Sequence, residues 1–361
     1  MKSFRPFLLL LLMGVLNPLF AQQRVLKKAL KRTDANGFSG VVLTANKGKI
    51  LVEEAIGLRS YEESVPLETT DIFELASLSK QFTAMMVMIC KEKGLLQFDD
   101  MAENYVAIPY KGISIRNLLT HTSGLPDYQA IMDEYWDKSQ VAGNPEILEY
   151  LRKYAPPKSF EPGEKYEYSN TGYVILASIV EKVTGEDFVK LSKEWIFEPL
   201  EMQNTAIRSL EEKANVENFA AGHLKNKQGQ YVNANTFHSS DYTVWLGNRK
   251  GPGRVSSSAE DLLKWDQALY TDKLVSQKTL TEAFTPFELN NGTLSYYGFG
   301  WEIKIQSPFG KVVMHTGSNP GYSTIIARYI EENKTVIVLN NNAHPDMMKV
   351  VESANLSFGK K

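Results

Sequence analysis

The sequence predicts an α/β (α+β) fold: an antiparallel sheet made from both chain ends and flanked by helices, with an α-rich subdomain inserted between them. Two observations carry this prediction. Strand-like apolar runs bounded by turn residues cluster at residues 38–57 and 297–340, while the middle holds helix-spaced apolar stretches punctuated by Gly and Pro. The 361 residues can bury a large core, and 43% hydrophobic with 23% charged residues is an ordinary globular composition.

In chain order, Lys2 and Arg5 precede an almost wholly apolar run over residues 7–16, and Leu19-Phe-Ala21 precedes Gln22. This is the pattern of a secretory signal peptide at residues 1–21, since the run is shorter than the roughly 20 residues that span a bilayer. The protein is therefore expected to be exported, periplasmic or secreted, with no stable membrane anchor after cleavage. Residues 25–31 can form a short amphipathic helix. Residues 38–43 and 49–57 read as strands joined by Asn46-Lys-Gly48. Residues 82–90 are apolar nearly all round and Gly94 follows, which predicts a buried helix. Residues 173–183 are a second apolar helix stopped by Gly185. Residues 206–253 are polar and rich in Asn and Gly, predicting long loops with a hairpin around Gly229. Ser258 is an N-cap candidate for a helix over 262–269. Strands are expected at 297–305, 312–315, 323–330 and 335–340, and a closing helix at 347–354.

The formal net charge of -2 gives no electrostatic reason to expect nucleic acid as a partner. The lone Cys90 cannot form an internal disulfide and falls in a predicted buried helix, where it reads as a small core residue. The five histidines are scattered without a ligand pair at short spacing, so neither a metal nor any other cofactor is expected. No Gly-x-Ser-x-Gly elbow occurs to support a Ser-His-Asp hydrolase.

Three fragments carry chemistry. Ser77 and Lys80 stand three apart at the mouth of the apolar helix, on one face and roughly 5–6 Å apart at Cβ. A partly desolvated lysine there can accept the serine proton, and the helix start offers free N–H groups to an oxyanion. The spacing alone is weak, because Ser357-Phe-Gly-Lys360 has it too. Tyr168-Ser-Asn170 is likewise repeated by Tyr231-Val-Asn233, but the first copy follows Pro162-Gly163 and leads into an apolar helix. A tyrosine beside a cationic lysine is expected to have a lowered phenol pKa and to shuttle protons. His315-Thr-Gly317 ends an apolar strand ahead of Ser318, supplying a hydroxyl, close backbone approach and an N–H for a carbonyl. Singly, each fragment has a bland alternative: a solvated lysine, a loop aromatic, a strand residue before a turn. In this order they are the parts of an acyl-transfer enzyme that needs no catalytic histidine or metal.

The order Ser-x-x-Lys, Tyr-x-Asn, His-Thr-Gly resembles the penicillin-recognising serine hydrolases, in the branch of class C β-lactamases, serine D-Ala-D-Ala carboxypeptidases and related esterases and D-aminopeptidases. Leu118-Leu-Thr-His-Thr-Ser-Gly-Leu-Pro126, Glu161-Pro-Gly163, Phe197-Glu-Pro-Leu200, Ser257-Ser-Ala-Glu-Asp-Leu262 and Tyr297-Gly-Phe-Gly-Trp301 are similar to the same branch. The resemblance implies a DD-peptidase/β-lactamase-like fold. Residues 22–361 would form one serine hydrolase domain, with an α/β part at about 24–80 and 255–361 and a mainly helical part at about 81–254. It implies Ser77 as acylated nucleophile, Lys80 and Tyr168 as general base and leaving-group acid, and Asn170 on the substrate amide. His315, Thr316 and Gly317 would line the opposite wall, and the N–H groups of Ser77 and Ser318 would form the oxyanion hole. His121 resembles a structural residue. The implied partner is a small-molecule or peptide substrate of the kind derived from cell walls: a D-Ala-D-Ala-type peptide, an ester or, weakly, a β-lactam. A non-catalytic or slowly deacylating sensor of the same fold is the alternative. One departure is His315, where class C β-lactamases usually carry lysine. A titratable cation there predicts weaker acylation by carboxylate-bearing substrates above pH roughly 6.5.

Overall fold

A computed structural model describes residues 37–359; the expected signal peptide and the helix at 25–31 lie outside the described residues. Strands β1 (Gly40–Asn46) and β2 (Lys49–Ile56) pair across a two-residue turn in which Lys47 and Gly48 both take positive φ, 51° and 72°. That backbone matches the right-handed twist of the flanking strands, and Gly48 adopts it without steric cost. The other end of the chain adds β3 (Glu302–Lys304), β4 (Val312–Asn319), β5 (Tyr322–Tyr329) and β6 (Lys334–Asn340). The sheet order is β3-β4-β5-β6-β1-β2, antiparallel throughout. β1 lies directly on β6, from Gly40 opposite Asn340 to Asn46 opposite Lys334. Both chain ends thus build one sheet, as the periodicity predicts.

Two strand boundaries differ from expectation. Only Glu302–Lys304 is strand within 297–305, because Gly298 packs against the Ala283 carbonyl and Gly300 turns the chain at φ +79°. β4 continues past His315 to Asn319, so His315-Thr-Gly317 lies inside a strand rather than at its end.

Among the helices, α1 (Ser79–Glu92), α2 (Asn170–Thr184), α3 (Ala259–Ala268) and α4 (Met347–Asn355) frame the site and the sheet. Alternation along the strands separates two cores. Val41, Leu43, Val313, Ile326 and Ile337 join the large core with the helical middle and with Leu262 and Trp265 of α3. Val42, Met314, Ile325 and Val338 meet Val350, Val351 and Ala354 of α4 on the other face. Helix α1 is buried from Ser79 to Cys90, which explains its all-round apolarity. Burial pushes the Cys90 thiol up to about 12, leaving it an inert core residue. Ser169 caps α2, accepting from the Gly172 N–H, and Gly185 ends it in the left-handed conformation. Within 206–253, strands His223–Lys225 and Tyr231–Asn233 form the expected hairpin about Gly229, alongside short helices at Leu210–Ala214 and Tyr242–Trp245. Among the described residues, no helix is long and apolar enough to cross a membrane.

Candidate active site

Every residue from 71 to 90 is buried except Ser77. The local backbone explains this. Ala76 sits in the left-handed region at φ +51°, and Ala76–Leu78 forms a 3-10 turn that runs into α1. The turn is clamped from the sheet: the Thr324 hydroxyl donates to the Leu75 carbonyl at 2.8 Å, and the Leu75 N–H donates to Val255 at 2.9 Å. Gly317 of β4 lies so close that a Cβ there would come 2.2 Å from the Leu75 carbonyl oxygen. Strain at a non-glycine residue persists where its surroundings over-determine it, and here it lifts one hydroxyl out of a buried segment.

Lys80 is fully buried, with Nζ 3.2 Å from Ser77 Oγ. The same nitrogen donates to Asn170 Oδ1 at 2.8 Å and to the Pro252 carbonyl at 2.9 Å. Burial, followed by the positive charge of Arg249, holds this amine well below the usual lysine range. In the neutral form its two N–H bonds satisfy Asn170 and Pro252, which leaves the lone pair for the Ser77 hydroxyl.

Tyr168 hydrogen-bonds Ser77 through its hydroxyl, and its ring lies 4.7 Å from Lys80 Nζ. The expectation of a lowered phenol pKa is corrected here. The packing around its hydroxyl raises it, outweighing the hydrogen bond with Ser77, although the side chain as a whole is 39% exposed. Tyr168 is therefore a neutral phenol, fit to give a proton as well as relay one. His121 supports it. This buried histidine accepts the Ser169 N–H on Nδ1 at 3.0 Å, with ring centroids 4.3 Å from Tyr168 and 4.5 Å from Tyr297.

β3 pairs with β4 only as far as Met314, so on that side the edge of β4 is free of β3 from His315 onward. Strand alternation puts His315 and Gly317 on the core face, while Thr316 and Ser318 are exposed. His315 is 1% exposed; its Nε2 accepts from the Tyr297 hydroxyl at 2.8 Å and its Nδ1–H donates to the Thr316 carbonyl at 2.6 Å. Burial above all lowers its pKa to about 3. Its expected role as a titrating cation is thereby overturned. His315 is neutral around pH 7 and lies behind Tyr168, with ring centroids 6.2 Å apart.

Ser77, Lys80, Tyr168 and Asn170 are thus joined by direct contacts, and Gly317 fixes the β4 strand against the Ser77 turn. The decoy spacings lie elsewhere: Ser357 is buried against Thr44, and Tyr231 is in the hairpin. Sequence reasoning missed the Pro252 carbonyl, Arg249 and the Tyr297 hydroxyl. Only Tyr297 carried a signal, as part of a family-like segment.

A half-exposed serine backed by a buried lysine, between a helical unit and a sheet drawn from both chain ends, defines a serine hydrolase of the β-lactamase fold. The chain belongs to the Beta-lactamase family, whose model matches residues 24–357. It is 40% identical over 308 residues to penicillin-binding protein 4* of Bacillus subtilis, covering 84% of this chain and 68% of that protein. Among solved structures, an octameric penicillin-binding protein homologue from Pyrococcus abyssi superposes with a TM-score of 0.79 at 26% identity, over 94% of this chain and 77% of that one. D-amino acid amidase from Ochrobactrum anthropi shares the fold, with a TM-score of 0.76 at 24% identity over 94% and 99% of the two chains.

Proposed function

We propose that the protein is an exported hydrolase that cleaves amides or esters through an acyl-enzyme on Ser77. The observation that carries this reading is the buried amine of Lys80, 3.2 Å from the only hydroxyl exposed along its segment. Neutral Lys80, directly or through Tyr168, takes the proton as Ser77 Oγ bonds to the substrate carbonyl carbon. The N–H groups of Ser77 and Ser318 stabilise the oxyanion. As the C–N or C–O bond breaks, the ammonium of Lys80 returns the proton through the Tyr168 hydroxyl to the leaving group. Water then attacks the acyl carbon by the same relay in reverse, and Ser77 is regenerated. Asn170 holds both Lys80 and the substrate amide.

The neutral His315 refines the substrate class. A carboxylate on the leaving group finds no cation at that position, so uncharged amides and esters, D-amino-acid derivatives among them, are favoured over β-lactams and free C-terminal carboxylates. The amidase and penicillin-binding relatives support testing both kinds. The residues from Lys2 to Ala21 support export. A panel of p-nitrophenyl esters, D-amino acid amides, D-Ala-D-Ala peptides and nitrocefin, run on the purified chain and on Ser77→Ala, tests the proposal. Esters and amides should turn over in a Ser77-dependent way, with nitrocefin slow. Hydrolysis that survives in Ser77→Ala contradicts the mechanism, and stable acylation without turnover assigns a penicillin-binding sensor instead.

A further inference from the structure

Beyond the last residues of β4 the chain surrounds a recess of about 380 Å³, within the range of small-ligand sites. Its floor is apolar, from Val216, Phe219 and Leu246, and its charged lining consists of Glu74, Lys213, Arg249 and Arg254. Glu74 is already engaged, ion-paired with Lys213 and accepting from Asn319 Nδ2 at 3.3 Å. The two arginines are not. Arg249 is 9% exposed; its Nη1 donates to the Tyr128 hydroxyl at 2.6 Å, while its buried Nε has no partner. Arg254 donates to the Arg208 carbonyl at 2.6 Å. Among the described residues neither forms an ion pair with a carboxylate; Glu74 acts on both without bonding either, and Arg249 acts on Arg254 as a like charge. Three cationic side chains around one carboxylate that is itself ion-paired, in a walled recess, are an arrangement that a further anion would relieve.

Arg249 links the recess to the reacting atoms, since its charge acts on Lys80. Asn319 follows Ser318 directly, about 3.3 Å further along the strand, and Glu74 stands three residues before Ser77. Proton delivery decides which half of a substrate can reach it. The leaving group must meet Tyr168 and Lys80, so the acyl half extends the other way, along β4 toward Asn319. We propose that this recess is the acyl-side subsite and that it selects acyl groups ending in a carboxylate, gripped by Arg249 and Arg254. This rests on the acyl-enzyme reading above and adds the chemical class of the acyl half. It also complements the uncharged leaving-group side: anion selection is moved from the His315 end of β4 to its Asn319 end.

The test compares the p-nitrophenyl monoester of adipic acid with the p-nitrophenyl ester of adipamic acid, alike in shape and differing by one charge. On the purified chain in low salt, kcat/KM for the acid should exceed that for the amide at least tenfold, and the ratio should shrink as salt screens the recess. Arg254→Gln, at a partly exposed position, should lower the ratio toward one; Arg249 supports Tyr128 in the core and is the poorer choice for substitution. The ratio needs no knowledge of the fraction of active protein. Ser77-dependent hydrolysis with a ratio at or below one, or with a ratio untouched by Arg254→Gln, overturns the subsite while leaving the hydrolase intact. Turnover of neither ester, with no label on Ser77, contradicts the hydrolase reading and this inference together.

Discussion

Lowering the pH from 7.5 to 5.0 loads the unfolded chain with protons that the folded chain does not take up, and His315 supplies a calculable share of that effect. Its folded pKa is depressed from 6.5 to about 3, above all by burial. For a base depressed on folding, the unfolded state binds more protons, so stability is fully present above pH 6.5 and is lost as the pH falls toward 3. At pH 5.0 the unfolded-state protonation is worth 2.303RT·log(1 + 10^1.5), about 2 kcal/mol, and at pH 7.5 it is about 0.1 kcal/mol. The result does not depend on the exact folded value, since any value below about 4 gives nearly the same difference. His315→Gln keeps an acceptor for the Tyr297 hydroxyl and removes the titration. Urea unfolding of both proteins at both pH values isolates the difference, because His121, also depressed by burial, contributes equally to each. The variant should lose about 2 kcal/mol less than the parent between pH 7.5 and 5.0. Equal losses in the two proteins, or a kcat/KM for carboxylate-bearing esters that falls through pH 6.5, would refute the neutral, buried assignment of His315.

Lys80→Met should lower the acylation rate by about 10²–10⁴-fold while the far-UV spectrum stays native. In the parent protein kcat/KM should already be at its plateau at pH 8; a rate still climbing at pH 10 would mean an ordinary lysine. Gly317→Ala pushes a methyl group into the Leu75 carbonyl and should cost about 1–3 kcal/mol of stability with a drop in kcat, read by thermal unfolding and ester hydrolysis. Asp266 bonds Arg328 and the Thr335 hydroxyl where neither charged side chain is exposed, so Asp266→Asn should cost about 3–5 kcal/mol in urea unfolding. It should leave kcat unchanged below the transition, since the pair lies under the sheet away from Ser77.

The architecture was legible because it rests on local periodicity. Alternation at both ends and all-round apolar helices in the middle state directly which segments must be buried, and Asn46-Lys-Gly48 declares its hairpin. The proximity of Ser77 and Lys80 was equally local, a matter of three residues along one turn. What the residue order did not disclose is protonation. Whether Lys80 is an ammonium or an amine depends on Pro252, Asn170 and Arg249, brought in from the far side of the helical unit. His315 reads as a cation next to a turn, yet Tyr297 and its own strand bury it as a neutral acceptor. Tyr168 was misjudged for the same reason, since its pKa follows the packing around its hydroxyl. Arg249 lies in the polar stretch 206–253 and Arg254 just past its end, where neither period nor motif marks a residue, and only the folded chain brings them to one recess.

The acyl bond to Ser77 is the centre of the account, and intact mass spectrometry reads it directly. Brief incubation of the purified chain with a fluorophosphonate or a penicillin, followed by peptide mapping, should give one adduct per chain. That adduct should lie on the peptide containing Ser77 and be absent from Ser77→Ala. An adduct that persists in Ser77→Ala, or that maps to another residue, would contradict it.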